Sequence, residues 1–183
     1  KKDFPKRPIR VSKYINGPVF TTNAVVSKEK VLLGNISYQI TGLSPFTDNA
    51  FATIGNDWGF VNKILNEKQL TKFSNIVLEI GEKLSADGWK GLFGVDIILD
   101  EATGELFLIE INARQPASTA YESILQSNEQ PDRVNIFEAH ILAILEETIT
   151  NPILGEINSG TQVILRNQEG KVKETKKIIL WFF

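Results

Sequence analysis

Apolar residues recur along the chain with two different periods, and these periods predict its main elements. Over residues 68–86 they fall at steps of three and four, which is the stripe of an amphipathic helix, and Asp87-Gly88 is a typical end for such a helix. The same spacing predicts a second helix over residues 135–149, "NIFEAHILAILEETI". Between them, residues 91–114, "GLFGVDIILDEATGELFLIEINAR", are typical of two strands around a tight turn.

The N-terminal part of the chain is rich in β-forming residues. Residues 9–15 ("IRVSKYI") and 19–26 ("VFTTNAVV") flank the turn signal Asn16-Gly17-Pro18 and predict a hairpin. Residues 30–42 predict a third strand. Residues 43–67 have weak periodicity, and a loop of this length inside a domain is usually functional, so it is a candidate substrate or lid loop.

These elements predict the fold class. Residues 161–183 are typical of a further hairpin. Strands joined in hairpins, with two intervening helices, predict an α+β fold: a largely antiparallel sheet with helices packed on one face and the other face free for a ligand. We assign residues 1–155 to the main domain and residues 156–183 to a hairpin-like C-terminal extension.

The composition excludes several classes of protein. With 183 residues and a net charge of −2, the chain can bury a core but has no basic surface for nucleic acid or an anionic membrane. It has no cysteine for a disulfide framework and no apolar run typical of a membrane span or signal peptide, so we expect a cytoplasmic protein. Because it begins without Met and ends in the apolar run "KKIILWFF", we expect a fragment of a longer polypeptide.

The hairpin at residues 91–114 carries the strongest chemical signal. A three-residue turn at residues 102–104 would place Asp96 opposite Glu110, with Asn112 next along the same face. Two facing carboxylates repel each other, so a cation is expected between them. Carboxylate and amide oxygens suit Mg²⁺, and Arg114, further along that face, could contact phosphate or a developing negative charge.

The alternative is an ordinary solvated sheet face, on which acidic residues are common. Two details favour the metal site. Leu106 and Leu108 are predicted to share the face of Glu110, so that face is not uniformly polar, and the residues with ligand chemistry gather at one end of both strands.

This hairpin resembles the metal-binding hairpin of the ATP-grasp superfamily. Its Glu-x-Asn-x-Arg pattern is similar to that of biotin carboxylase and carbamoyl phosphate synthetase, and the Asp on its first strand is similar to D-alanine ligase. The resemblance implies that Asp96, Glu110 and Asn112 bind Mg²⁺ (or Mn²⁺) and that Arg114 is a catalytic residue.

A second segment, "VSKYINGPVFTTNAVV", resembles the adenine-binding hinge of the same superfamily. The resemblance implies that ATP is bound at Lys13, Tyr14 and Ile15, with the adenine read by the carbonyl of Lys13 and the amide of Ile15. Ser12 stands where the family usually has an acidic residue.

The resemblance covers about residues 9–145 and implies an ATP-dependent ligase that joins a carboxylate to an amine or a related nucleophile through an acylphosphate. Its partners would be a small-molecule carboxylate and a nucleophile, with a homodimer left open. The family's lysine and glycine-rich flap come from a smaller subdomain before the hinge, which is absent from this sequence. The fragment is therefore not expected to catalyse by itself.

Two other functions stay open, a nucleotide-binding or regulatory module without turnover and a structural α+β domain. Among weaker candidates, Gln115, Ser118 and Thr119 follow the motif strand and could reach an acceptor pocket, and Ser118 or Thr119 could equally cap a helix or lie in a loop. His140 is expected to be structural, and "GND" at residues 55–57 is expected to be a turn.

Overall fold

The computed structural model describes residue 8 and residues 11–164. This part of the chain contains seven strands and four helices. The strands are β1 Val19–Val26, β2 Val31–Leu33, β3 Ser37–Thr41, β4 Thr53–Asp57, β5 Gly91–Leu99, β6 Leu106–Asn112 and β7 Thr161–Val163. The helices are α1 Val61–Ile64, α2 Glu67–Ala86, α3 Thr119–Glu129 and α4 Ile136–Ile144.

All seven strands belong to one sheet in the order β6-β5-β1-β3-β4-β7, and β2 pairs with β1 off this path. Every strand pair in the sheet is antiparallel. The predicted α+β class with a largely antiparallel sheet is therefore confirmed.

The helices cover both faces of the sheet, which corrects the prediction that they share one. Along β1, Phe20 and Ala24 pack in one apolar cluster with Phe73 of α2, whereas Val25 packs in a second cluster with Ile136 of α4. Successive side chains of a strand point to opposite faces, so α2 and α4 lie on opposite sides. Where α2 and α4 pack, β1 and β5 are apolar at successive positions, in residues 24–26 and 92–93, so both faces of these strands can be buried.

The predicted helix at residues 68–86 is confirmed as α2. It begins with a capping box, in which the side chain of Asn66 accepts from the amide of Gln69 and the side chain of Gln69 accepts from the amide of Asn66. After its end, Gly88 adopts a φ of 87°, which favours glycine. The second predicted helix is confirmed as α4, and α3 was not predicted.

The predicted N-terminal hairpin is wrong. Residues 11–18 form no strand, and β1 pairs instead with β5 along its whole length and with β2 and β3 on its other edge. Both edges of β1 are thus taken by strands that come later in the chain. The predicted third strand divides into β2 and β3 around residues 34–36, and the predicted loop at residues 43–67 contains β4 and α1.

At the C-terminal end, β7 pairs with β4 and so belongs to the same sheet. The remainder of the predicted hairpin at residues 161–183 lies outside the described residues, and the domain division at residue 155 stays a prediction. None of the described helices combines the length and the apolar character needed to cross a membrane.

Candidate functional site

The site is built on the β5–β6 pair, and the predicted pairing of its carboxylates is confirmed. Asp96 lies opposite Glu110, and Gly94 lies opposite Asn112. Both residues with ligand chemistry on β6 therefore share a face with Asp96 at one end of the hairpin. That face is the side on which α4 packs, because Leu92, two steps along β5 from Gly94, contacts the α4 cluster.

A β-bulge directly beyond the Asp96–Glu110 pair shifts the register by one residue. Ile97 lies opposite Leu108 and Leu99 lies opposite Leu106, so Ile109 has no partner on β5. Leu106 is buried in the α2 cluster. The prediction that Leu106 and Leu108 share the face of Glu110 is therefore wrong, because the bulge turns both side chains to the opposite face.

A chain of hydrogen bonds links three of the four predicted residues. The Asn112 Nδ2 atom donates to Asp96 Oδ2 at 3.3 Å, and Arg114 Nη2 donates to Asn112 Oδ1 at 2.8 Å. The amide of Arg114 also donates to the carbonyl of Asn112 at 2.8 Å. Asp96 and Asn112 are half-buried, whereas Glu110 and Arg114 are exposed. The four residues thus lie near one another at the open end of the hairpin, where solutes can reach them.

The donor set fits a hard cation such as Mg²⁺, which uses one or two carboxylates and completes its shell with water and phosphate oxygens. Asp96 and Glu110 would supply the carboxylates. Among the described residues there is no cluster of three or more His, Cys, Asp or Glu side chains, so a third protein ligand must be of another type. Asn112 fits once its amide turns over, because its NH₂ group now faces Asp96 and its oxygen faces Arg114.

The polar face continues onto β1, where Thr21 lies opposite Asp96 and Asn23 lies opposite Gly94. Both β1 side chains are buried. At Gly94 an added Cβ atom would lie 2.8 Å from Cγ of Pro116, so the chain leaving β6 passes directly over this glycine. Gly94 thus permits the close approach of residues 113–118 to the sheet.

The proposed hinge residues lie at the other end of the same hairpin. The carbonyl of Asn16 accepts from the amide of Glu101 at 3.1 Å, and the carbonyl of Pro18 accepts from the amide of Leu99 at 3.0 Å. Lys13 and Tyr14 are exposed and Ile15 is half-buried. Within residues 11–164, no hydrogen-bond partner is found for the carbonyl of Lys13 or the amide of Ile15, so both groups can bind a ligand.

Two of the weaker candidates can be placed in the fold. His140 lies in α4, and its Nδ1 atom accepts from the amide of Leu92 at 3.1 Å, which is the structural role expected of it. Its partial burial lowers the pKa of the imidazole. Residues 55–57 lie within β4, so the predicted turn there is wrong.

Sequence reasoning missed the buried polar group behind the site. Glu122 of α3 is 1% exposed, accepts from Asn23 Nδ2 at 2.5 Å and accepts from the amide of Asn35 at 2.7 Å. Burial raises the pKa of this carboxyl to about 7, although the hydrogen bonds oppose the shift. The sequence does contain one sign of this group, because Ser118, Glu122 and Gln126 follow one another at steps of four residues. Such a polar row usually marks the solvated face of a helix, so the spacing alone does not indicate burial.

Comparisons with known proteins identify the fold. The model of the ATP-grasp domain family matches residues 2–118. N5-carboxyaminoimidazole synthetase from Staphylococcus aureus, solved with ADP, aligns over 80% of this chain and 34% of its own, with 16% identity and a TM-score of 0.53. Carboxyaminoimidazole ribonucleotide synthase from Aspergillus clavatus, solved with ATP, aligns over 78% of this chain and 32% of its own, with 19% identity and a TM-score of 0.53.

Biotin carboxylase from Campylobacter jejuni, solved with a β,γ-ATP ligand, aligns over 78% of this chain and 29% of its own, with 14% identity and a TM-score of 0.57. At these identities the likeness concerns the fold. The chain spans about a third of the length of these structures. No curated protein sequence matches it.

Proposed function

Because the chain belongs to the ATP-grasp domain family, we propose that it forms part of an ATP-dependent ligase that joins a carboxylate to an amine or a related nucleophile. The observation that carries this proposal is the Asp96–Glu110 pair with Asn112 and Arg114 beside it. Two carboxylates facing each other on rigid strands repel unless a cation lies between them. A simple solvated face gives no reason for that arrangement.

The cation site would consist of Asp96, Glu110 and Asn112. Bound Mg²⁺ (or Mn²⁺) would neutralise charge on the phosphates of ATP and help to align the transferring group. The chain's own contribution is a rigid pair of carboxylates, because each lies within a paired strand. The hydrogen bond from Asn112 to Asp96 keeps the amide next to the first carboxylate until a cation replaces that contact.

Arg114 would stabilise the negative charge of the transferring phosphate. In the proposed reaction an oxygen of the substrate carboxylate attacks the γ-phosphorus of ATP, and the bond from that phosphorus to the departing ADP breaks. A nucleophile then attacks the acyl carbon of the acylphosphate and phosphate leaves. The guanidinium can pair two oxygens at once. The bond from the Arg114 amide to the carbonyl of Asn112 does not involve the Asn112 side chain, so it keeps Arg114 beside the proposed ligands when that side chain turns over.

The adenine would be read by the backbone of Lys13 and Ile15, with Tyr14 between them. Their lack of partners within residues 11–164 supports this assignment, as does their place at the turn end of the hairpin. Ile15 precedes Thr21 by six residues, and Thr21 lies opposite Asp96. The nucleotide would thus lie along the β1–β5 pair, from the hinge to the carboxylates.

The remaining assignments belong to the same proposal. Residues 1–155 would form the C-terminal portion of an ATP-grasp domain, and residues 156–183 an extension whose first strand joins the sheet. The substrates would be a small-molecule carboxylate and a nucleophile. The opposing lysine and glycine-rich flap would come from elsewhere in the complete protein, and a cytoplasmic location stays a prediction.

The proposal can be tested with the complete protein. Calorimetric titration with ATP, with and without Mg²⁺, should give binding that needs both the metal and Glu110. Positional isotope exchange in labelled ATP should require a carboxylate and need no nucleophile, because reversible formation of the acylphosphate and bound ADP is enough to scramble the label. A panel of small carboxylates would identify the substrate.

Other outcomes of the same experiments separate the alternatives. Tight Mg·ATP binding without exchange for any carboxylate would favour a nucleotide-binding module over a ligase. Absence of metal-dependent nucleotide binding would leave a structural α+β domain as the conclusion.

A further inference from the structure

Glu122 is an acidic residue in the interior, on the first turn of α3. It is among the largest fully buried side chains of the described chain, and no ion pair to it is found within residues 11–164. Burying a carboxyl group without a cation is unfavourable, so its hydrogen bonds must offset the free energy lost when the group leaves water. A leucine would fill similar space without that cost.

Both oxygens of Glu122 accept from other segments of the chain. Oε2 accepts from the side chain of Asn23 in β1, and Oε1 accepts from the amide of Asn35 between β2 and β3. The fit is close at Gly34, where an added Cβ atom would lie 2.5 Å from Oε1. Asn35 extends the network, because its side chain donates to the carbonyl of Gly155 and accepts from the amide of Ile157.

Asn23 connects this carboxyl group to Ser118, which follows the Glu-x-Asn-x-Arg pattern in the chain. Besides Glu122, its Nδ2 atom donates to Oγ of Ser118 at 3.1 Å. Ser118 directly precedes α3 and lies four residues after Arg114. Asn23 also occupies the same row of the sheet as Gly94 and Asn112, so the contact lies beside the proposed cation site.

We call residues 113–118 the exit segment, since they lead from β6 to α3. Its first part is held by Asn112, through the backbone and side-chain bonds of Arg114. Its middle passes over Gly94, and its last residue is held by Asn23. Between the two ends, the segment is held at Pro116, whose carbonyl accepts from the amide and the hydroxyl of Thr119, whereas residues 113–115 and 117 are exposed.

We propose that Glu122 is a positioning residue that, through Asn23 and Ser118, fixes the exit segment and with it Arg114. Glu122 does not touch the reacting groups. It orients the Asn23 amide, and that amide holds the end of the segment that carries the guanidinium. The expected effect of Glu122 on catalysis rests on the role proposed above for Arg114. The anchoring of the exit segment by Glu122 does not depend on that role.

The anchoring can be tested without any substrate, by backbone hydrogen exchange in the complete protein. Glu122→Leu removes both acceptors at similar volume. We expect amides of the exit segment to exchange at least about tenfold faster, while amides at the centre of α2 keep their wild-type rates. Cleavage by trypsin after Arg114 should accelerate in parallel.

Glu122→Gln is the conservative rescue. Its amide oxygen can accept from the amide of Asn35, and its NH₂ group can donate to Asn23 once the Asn23 amide turns over. Ser118 can then donate its hydroxyl proton to the same Asn23 oxygen. Exchange in the exit segment should therefore stay within about threefold of wild type.

Gln126→Leu is the matched control. Gln126 is also 1% exposed on α3, but its Oε1 atom accepts from the amide of Ile136, at the start of α4. This variant should lose stability without selective loosening of the exit segment. If Glu122→Leu does not fold, Ser118→Ala removes only the contact with Asn23 and should still raise exchange in residues 113–118.

Unchanged exchange in the Glu122→Leu or Ser118→Ala variant would overturn the proposal, as would equal loosening in Gln126→Leu. In the complete enzyme, Glu122→Leu should lower kcat and leave KM for ATP within about twofold, because the hinge and carboxylates are untouched. Faster exchange with wild-type kcat would overturn the link to Arg114. If the protein is not a ligase, only this kinetic measurement is lost, and the exchange result stands.

Discussion

Asp96 and Glu110 lie opposite each other across the β5–β6 pair, directly beside a bulge that reverses the facing of every β6 residue nearer the turn. If β6 continued without a bulge in the register set near the turn, Ile109 would lie opposite Asp96, and Glu110 would lie opposite Val95 and point to the other face. The bulge therefore determines which side chains can share a cation.

The first prediction concerns Glu110→Gln. Phosphate transfer and Mg²⁺-dependent nucleotide binding should be lost, because one of two anionic ligands becomes neutral. Thermal stability should stay near wild type or rise, since the change relieves repulsion of at most about 1 kcal/mol between facing carboxylates. Calorimetry and thermal melts of the complete protein measure the two effects.

The matched control is Glu105→Gln, at the turn end of the same hairpin. Glu105 is exposed and forms an ion pair with Lys72, away from the proposed ligands. Removal of the negative charge of Glu105 should leave nucleotide binding unchanged. If Glu110→Gln instead unfolds the domain and spares the activity of each folded molecule, the metal assignment is wrong.

The second prediction concerns the adenine hinge. Lys13→Ala keeps the backbone carbonyl and should weaken nucleotide affinity by no more than about tenfold, or 1.4 kcal/mol. Ile15→Pro removes the amide donor itself and should weaken binding far more. Val11→Pro, at an exposed position of the same segment, controls for the stiffness that proline introduces. Equal and negligible effects at Lys13 and Ile15 would place the adenine elsewhere.

The third prediction distinguishes a catalytic Arg114 from a surface charge. Arg114→Lys keeps the charge but loses the planar fork, so turnover should fall much more than the apparent constant for ATP rises. A purely solvated arginine predicts a change within about 0.5 kcal/mol. Arg133→Lys, at a half-exposed position whose Nη1 atom lies 3.8 Å from Glu156, is the control. Wild-type turnover in Arg114→Lys would end the catalytic assignment.

The fourth prediction is a pH dependence of stability that comes from Glu122. Its pKa is raised from 4.5 to about 7 in the folded protein, so between these values the folded state keeps a proton that the unfolded state releases. Wild-type stability relative to Glu122→Gln is therefore greatest below about pH 4.5 and falls as the pH rises through about 7. The full change is on the order of 3 kcal/mol.

Urea unfolding of both proteins at several pH values measures this difference. The groups that hydrogen-bond to the carboxyl or its partner come from β1, the β2–β3 connection and the residue before α3, and they are the uncharged Asn23, Asn35 and Ser118. Titration of a neighbour should therefore not mimic the effect. A constant difference between the two proteins across this range would show that Glu122 keeps an ordinary pKa.

The sequence by itself determined the elements whose signals are local. The apolar spacing and capping residues of α2 specify a helix regardless of what packs against it, and alternation around a glycine turn specifies the β5–β6 hairpin. The Glu-x-Asn-x-Arg pattern then indicated the ATP-grasp family, which the family comparison confirms for residues 2–118. The pairing of Asp96 with Glu110 was also predicted, but from a three-residue turn followed by regular strands. In the structure the register near the turn differs by one residue, and the bulge restores the pair.

The tertiary structure decided what depends on distant segments. Whether residues 11–18 form a strand depends on competition for the edges of β1, and β5, β2 and β3 occupy both edges. The bulge at Ile109 is invisible in the sequence because nothing local distinguishes it from regular strand. The burial of Glu122 was not predicted, because a carboxyl group is tolerated in the interior only when other groups supply its hydrogen bonds, and these come from Asn23 and Asn35, far away in sequence.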